Sequence, residues 1–180
     1  MRIVAGERKG TRLAAPGGRS ARPTTDRVRE SLFSILGDVT EAAVLDPFAG
    51  SGALGFEALS RGAATVAFCD LDRGALEAVR ENARRLRYAD RCTIRRQDGR
   101  RRLAADRAAG VTYDLVLLDP PYTMLSDLTD HLRGHLPALL SPGGRAVLER
   151  AAGDDAPEPG LDVVAERVYG GTAVTVWQRG

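Results

Sequence analysis

Two spacings of apolar residues alternate along this chain of 180 residues. Short aliphatic runs, such as residues 113–118, are typical of strands that are buried on both faces. Between these runs lie longer segments with apolar residues three or four positions apart, which predict amphipathic helices. The regular alternation of the two patterns predicts a doubly wound, Rossmann-like α/β sheet that is mostly parallel and carries helices on both faces.

The order of the predicted elements is regular from residue 42 to residue 150. Strands are predicted at residues 42–46, 65–70, 92–96, 113–119 and 145–150, and helices at 54–61, 72–87, 100–109 and 125–140. Near the end of the chain the β-rich segments 161–168 and 172–179 are joined by Gly170-Gly171. This arrangement predicts an antiparallel hairpin at the end of the sheet.

Residues 1–40 precede this alternation and are predicted to form a basic extension of a domain that covers residues 41–180. Thr25 is a good helix cap and Asp26 suits a first helical turn, so a helix is predicted to begin there. Residues 1–30 contain eight basic and three acidic residues, whereas the whole chain has a formal net charge of +2. A basic arm on a nearly neutral body predicts contact with a polyanion.

Composition argues against several other classes of protein. No apolar stretch approaches the roughly 18 residues of a membrane span, and no secretion signal is seen, so we expect a cytoplasmic protein without a membrane partner. Cys69 and Cys92 are not spaced like metal ligands and are expected to be buried. His131 and His135 lie four residues apart but lack an obvious third ligand, so no metal is predicted.

A glycine-rich segment, Asp46-Pro-Phe-Ala-Gly-Ser-Gly52, joins the first predicted strand of the domain to its helix. Together with Gly55 it contains the pattern G-x-G-x-x-G, in which glycines let the backbone approach a ligand and turn tightly into a helix. Asp70 ends the next predicted strand, where an acid can accept hydrogen bonds from both hydroxyls of a ribose. This half of the chain is therefore predicted to bind a cofactor that contains a nucleoside.

The acids around this segment indicate which cofactor. The Asp46 carboxylate is awkward beside a pyrophosphate but acceptable beside a sulfonium or an ammonium group. Asp98 follows the third strand of the domain, where it could accept from an adenine amino group or could simply cap a helix. The candidate cofactor residues are Asp46, Phe48, Ala49, Gly50, Ser51, Gly52, Asp70, Leu71, Asp98, Gly99 and Asp119.

The most informative segment is Asp119-Pro120-Pro121-Tyr122, which follows an aliphatic strand. Two prolines cannot continue a ladder of strand hydrogen bonds, so they predict a stiff loop at the carboxyl end of a central strand. The Asp119 carboxylate, the Pro120 carbonyl and the Tyr122 ring suit the binding of a planar base by its amino group, and these three are the candidate catalytic residues. The alternative is an ordinary turn with a packed tyrosine.

These motifs resemble those of the class I S-adenosylmethionine-dependent methyltransferases. The segments Arg2-Ile-Val-Ala-Gly6 and Arg22-Pro-Thr-Thr-Asp-Arg-Val-Arg-Glu30 resemble the amino-terminal signature of the bacterial RsmD family. The resemblance runs from residue 2 to the terminal hairpin; one departure is Asp70, where the family carries a glutamate, but the charge is kept.

The RsmD family methylates the 2-amino nitrogen of guanine 966 in 16S rRNA. The resemblance implies S-adenosylmethionine as the cofactor, S-adenosylhomocysteine as the product and no metal. It also implies 16S rRNA within the small ribosomal subunit as the partner, shaped by nearby ribosomal proteins, and Tyr122 stacking on the target base. We expect a monomer, with RNA contacts at Arg8, Lys9, Arg12, Arg22 and Arg27.

Three other functions fit parts of the sequence. Adenine 6-amino DNA methyltransferases also use Asp-Pro-Pro-Tyr, but the chain has no added segment for reading DNA sequence. A nicotinamide-dependent oxidoreductase would share the glycine pattern but would leave Asp119-Pro-Pro-Tyr122 without a purpose, and a cofactor-binding protein without catalysis is the third. Residues 84–107 hold ten arginines and three aspartates, and a solvated face is expected there, with an extended RNA surface as the alternative.

Overall fold

The structure is a computed structural model, and it describes residues 1–16 and 25–180. The predicted RNA contact Arg22 lies outside the described residues. The helices are α1 Asp26–Leu36, α2 Ala53–Ser60, α3 Arg73–Leu86, α4 Gly99–Ala108 and α5 Leu125–Leu139. The strands are β1 Ala43–Asp46, β2 Thr65–Asp70, β3 Cys92–Arg96, β4 Tyr113–Leu118, β5 Leu140–Ala151, β6 Asp162–Tyr169 and β7 Thr172–Gln178.

The strands form a single seven-stranded sheet in the order β3-β2-β1-β4-β5-β7-β6. Strands β1 to β5 run parallel, while β7 is antiparallel to both β5 and β6. The predicted fold class, including the antiparallel carboxyl-terminal hairpin, is confirmed. The strand order reverses between β1 and β4, so the loops that follow Asp46 and Leu118 emerge side by side at the place where open α/β sheets bind ligands.

Side-chain caps explain where three helices begin. The Thr25 hydroxyl accepts a hydrogen bond from the Val28 amide, as the sequence predicted. Asp72 accepts from the Ala75 amide at the start of α3. Asp98 accepts from the Arg100 amide at the start of α4, so the predicted helix boundaries here shift by a single residue. These bonds satisfy amides that have no partner within the helix.

Each face of the sheet carries its own hydrophobic core. One core lies against α1, α2 and α3 and includes Leu32, Phe56 and Val79. The other lies against α4 and α5 and includes Leu132 and the fully buried Trp177. Because the strands between the two cores are covered on both faces, they are continuously apolar rather than alternating.

The amino-terminal segment belongs to the first of these cores. Residues 1–14 fold back on themselves as an amino-terminal hairpin, with an antiparallel bridge between Arg2 and Arg12, and Ile3 and Leu13 are buried in this core. The predicted division at residue 40 therefore does not separate two hydrophobic cores. It stays a prediction about function, namely that the first 40 residues contact RNA.

Several local predictions need correction. Strand β5 begins at Leu140 instead of residue 145, because Leu140 pairs with Tyr113 and Gly143 donates to the Arg179 carbonyl. Cys92 is half-buried rather than buried, because it begins the edge strand β3. No helix in the described part of the chain is both long and apolar enough to cross a membrane.

The arginine-rich segment 84–107 is not uniformly solvated. Arg102 is buried, and its guanidinium binds the Asp106 carboxylate at 2.5 Å and the Tyr113 hydroxyl at 3.1 Å. The Tyr113 hydroxyl in turn donates to Asp106 at 2.8 Å. This buried network ties α4 to β4, so Arg102 has a structural role and is not available to a partner.

Candidate active site

The glycine loop, residues 46–52, turns directly from β1 into α2. Gly52 precedes the helix in the left-handed region with φ 79°, and a Cβ there would come within 2.6 Å of the Phe56 ring. A Cβ on Gly55 would overlap the Phe68 ring. Glycine at these positions therefore allows the helix to pack this closely on β2. Without side chains at its glycines, the loop also lets a ligand approach its backbone.

Asp70, at the end of β2, holds this loop in place. Its Oδ2 accepts a hydrogen bond from the Gly50 amide at 2.8 Å, and its Oδ1 accepts from the Asp72 amide at 2.9 Å. The Ala49 amide adds a bond of 2.9 Å to the Cys69 carbonyl. Each carboxylate oxygen of Asp70 still has a second lone pair, so the acid can accept hydroxyls without releasing the loop.

Asp46, the first residue of the loop, is almost completely buried. Its Oδ2 accepts a hydrogen bond of 3.3 Å from the Gly55 amide. Burial, with a smaller contribution from the negative charge of Asp70, raises the pKa of the Asp46 carboxyl to about 7, although the Gly55 bond opposes the change. A cation placed beside the loop would therefore stabilise the ionised form of Asp46.

Asp98 and Gly99 close the site on the side of β3. The guanidinium and the amide of Arg100 both donate to the Asp98 carboxylate, which lowers the pKa of Asp98 to about 2. A Cβ on Gly99 would come within 2.5 Å of the Pro47 carbonyl and 2.6 Å of the Phe48 ring. Asp98 thus caps α4, which was one of its two predicted roles, and its contact with adenine stays a prediction.

A cavity of about 620 Å³ opens beside Asp98. Leu71, which directly follows Asp70, is 53% exposed and lines this cavity. An apolar side chain between two carboxylates can cover the face of a purine while the acids bind its ribose and its amino group. His131 also lines the cavity, and the sequence did not predict this position.

The candidate catalytic loop, residues 119–122, follows β4 on the other side of the switch point. Asp119 is half-buried, Pro120 is buried, and the Tyr122 ring is 40% exposed. The Tyr122 hydroxyl lies 3.4 Å from the Thr172 hydroxyl of β7. Tyr122 therefore lies at the surface of the site, and Thr172 is a contact that the sequence did not reveal.

The predicted RNA contacts Arg8, Lys9 and Arg12 lie on the amino-terminal hairpin, and Arg27 lies on α1. Arg8 stacks 5.6 Å from the centre of the Tyr88 ring, and its amide donates to the hydroxyl of Ser60, the last residue of α2. This end of α2 is about 12 Å from the glycine loop, given the rise of an eight-residue helix. Lys9, Arg12 and Arg27 are exposed, with Arg27 in the first turn of α1.

The seven-stranded order, the glycine loop after β1 and the acid-proline loop after β4 together define a Rossmann-like methyltransferase. Comparison with known sequences agrees with that class. The family described as "Conserved hypothetical protein 95" matches residues 1–178. The chain belongs to this family, and the RsmD-type resemblance predicted from its motifs is confirmed.

Relatives match from about two thirds to nearly the whole of the chain. YlbH of Bacillus subtilis (strain 168) is 36% identical over 187 residues, covering 99% of both proteins. "Ribosomal RNA small subunit methyltransferase D" of Escherichia coli (strain K12) is 40% identical over 123 residues, which cover 68% of this chain and 60% of that protein. The solved structure of yhhF from Escherichia coli superposes with a TM-score of 0.84 at 32% identity, covering 99% of this chain and 97% of that one.

Proposed function

We propose that this protein transfers a methyl group from S-adenosylmethionine to the 2-amino nitrogen of a guanine in 16S rRNA, at position 966. The observation that carries the proposal is the juxtaposition of the glycine loop and the Asp119-Pro-Pro-Tyr122 loop at the switch point of the sheet. Membership of the family and the name of the Escherichia coli relative support RNA as the substrate. Neither relative carries the name of a DNA methyltransferase, so the adenine alternative gains no support.

The residues around the glycine loop fit this cofactor. When bound, S-adenosylmethionine supplies a methyl group on a positively charged sulfur. Asp46 would face that charge or the neighbouring ammonium, Asp70 would accept from the ribose hydroxyls, and Asp98 would accept from the adenine amino group. Phe48, Ala49, Gly50, Ser51, Gly52, Leu71 and Gly99 would form the walls, and Asp119 would border the methyl group.

The catalytic loop then has to orient a weak nucleophile. The 2-amino lone pair of guanine is delocalised into the ring, so alignment matters more than a strong base. The Asp119 carboxylate and the Pro120 carbonyl would accept hydrogen bonds from the two amino hydrogens and stabilise the positive charge that develops on nitrogen. Tyr122 would stack on the extruded base with its exposed ring.

The pKa of Asp46 makes cofactor affinity depend on pH. An acid with a pKa of about 7 is about 90% ionised at pH 8 and about 10% ionised at pH 6. If the ionised form binds the cationic cofactor, the affinity for S-adenosylmethionine should fall about tenfold between these pH values. Calorimetry at pH 6, 7 and 8 measures this change, and Asp46→Asn should bind weakly at every pH. An equal pH dependence in Asp46→Asn would remove Asp46 as the cause.

A methyl-transfer assay tests the proposed function directly. Small ribosomal subunits from a strain that lacks the gene are incubated with labelled S-adenosylmethionine, and the rRNA is digested to nucleosides. We expect label in 2-methylguanosine of 16S rRNA, and faster labelling of subunits than of protein-free 16S rRNA. DNA from the same strain is the control substrate. Label in DNA, or in 6-methyladenosine, would overturn the assignment.

A further inference from the structure

Asn82 of α3 is completely buried and joins two segments that are far apart in the sequence. Its Nδ2 donates to the Ser51 carbonyl of the glycine loop and to the Ala14 carbonyl, both at 3.0 Å. Its Oδ1 accepts from the Ala14 amide at 2.7 Å. The side-chain amide of Asn82 therefore binds the glycine loop on one side and the end of the amino-terminal hairpin on the other.

Two further contacts bring the same segments together. The Ser51 hydroxyl lies 3.5 Å from the Met1 sulfur, so the other end of the amino-terminal hairpin also reaches the glycine loop. On α3, one turn beyond Asn82, the Arg85 guanidinium donates to the Arg12 carbonyl at 3.2 Å. Both ends of the hairpin thus approach the glycine loop, whereas its turn at Gly6 to Gly10 lies against Ser60.

We infer that Asn82 is a positioning residue for the cofactor site, through which the amino-terminal hairpin sets the position of Ser51 in the glycine loop. Ser51 lies between Gly50 and Gly52, and glycines resist distortion less than other residues do. The carbonyl of Ser51 gives this flexible stretch a fixed point in the protein interior. Because Asn82 is completely buried, it would act on the cofactor site through Ser51 and Ala14.

The inference rests on the proposed binding of S-adenosylmethionine at this loop. Its consequence is that the segment predicted to contact RNA also takes part in shaping the cofactor site. Loss of the Asn82 amide should release Ser51 and widen the range of loop conformations, so binding of the cofactor would have to order the loop again. This effect lowers cofactor affinity and leaves the geometry of Asp119 and Tyr122 unchanged.

Steady-state kinetics of Asn82→Ala tests the inference. We expect KM for S-adenosylmethionine to rise about tenfold and kcat to change less than twofold. The matched control is Glu57→Gln: Glu57 is also buried and accepts from the Val4 and Ala5 amides, so the variant loosens the same hairpin away from the glycine loop. It should lower Tm, yet change KM for S-adenosylmethionine less than twofold. Equal changes in KM for both variants, or no change in either, would overturn the inference.

A second measurement covers the case in which Asn82→Ala does not fold. Hydrogen exchange of the wild-type protein is followed with and without S-adenosylhomocysteine. The Ala14 amide should be protected at least threefold more by the ligand than the amides of Val4 and Ala5, which bind Glu57. Equal protection of all three would contradict a specific link through Asn82. Failure of the wild-type protein to bind S-adenosylhomocysteine would instead contradict the proposed function.

Discussion

Replacing Asp119 by alanine is expected to reduce the turnover of RNA methylation at least 100-fold while changing S-adenosylhomocysteine affinity little. The reason is that the Asp119 carboxylate would contact the amino group mainly as positive charge develops on it, and removal of one such contact elsewhere costs about 10²–10³ in kcat. Single-turnover transfer to small subunits measures the chemical step, and calorimetry measures the cofactor. Normal turnover of Asp119→Ala would show that the catalytic assignment is wrong.

Three variants separate charge, hydrogen bonding and stacking in this loop. Asp119→Asn keeps one acceptor oxygen but loses the charge, so its turnover should lie between those of the wild type and Asp119→Ala. Tyr122→Phe keeps the ring and loses only the hydroxyl that lies near Thr172. It should retain most of the activity, whereas Tyr122→Ala should raise KM for RNA. A larger loss in Tyr122→Phe than in Tyr122→Ala would argue against base stacking.

The fold was predictable because its signals are local. Strands buried on both faces must be apolar throughout, and loops at the switch point must contain residues that turn sharply, so 43–46 and 113–118 could be located from composition and spacing alone. The two loops of the candidate site were predictable for the same reason. Most element ends fell within one or two residues of the prediction, as expected for helices with recognisable caps.

The start of β5 was not predictable from local pattern. Ser141-Pro-Gly-Gly144 has the composition of a turn, and it belongs to the strand because Gly143 and Gly144 exchange backbone hydrogen bonds with Arg179. The partner lies at the far end of the chain, beyond the reach of any window of neighbouring residues. The contact between Thr172 of β7 and Tyr122 could not be predicted for the same reason.

Buried polar residues were also not predictable from local sequence pattern. On the sequence, Glu57 and Asn82 look like ordinary polar positions of amphipathic helices, yet both are completely buried. Each satisfies backbone groups of the amino-terminal hairpin more than 50 residues away. The sequence shows an excess of basic residues in that hairpin. It does not show that the hairpin is part of the core or that Arg8 lies at the far end of α2.

Removal of residues 1–16 is therefore expected to prevent stable folding. We do not expect a folded protein that has lost only the ability to bind RNA. Ile3 and Leu13 are buried, and each contributes about 1.5–3 kcal/mol through burial. The truncation also removes the Val4 and Ala5 amides from the Glu57 carboxylate, which keeps its ion pair with Arg61, and each hydrogen bond to a charged group contributes about 1.5–3 kcal/mol. Together these losses are comparable with the whole stability of a typical domain, about 5–15 kcal/mol.

Circular dichroism and thermal unfolding measure whether the truncated chain folds. A variant of the untruncated chain separates the role of the hairpin in the core from its role in binding RNA. Lys9→Gln combined with Arg12→Gln neutralises exposed side chains and keeps the backbone of the hairpin, so Tm and S-adenosylhomocysteine affinity should match those of the wild type. If these cations contact RNA, the slope of log affinity against log salt should become shallower by roughly 0.7–0.9 for each lost phosphate contact. A truncated chain that folds and binds S-adenosylhomocysteine normally would make the hairpin a detachable arm, because its buried contacts would then contribute nothing that the rest of the domain needs.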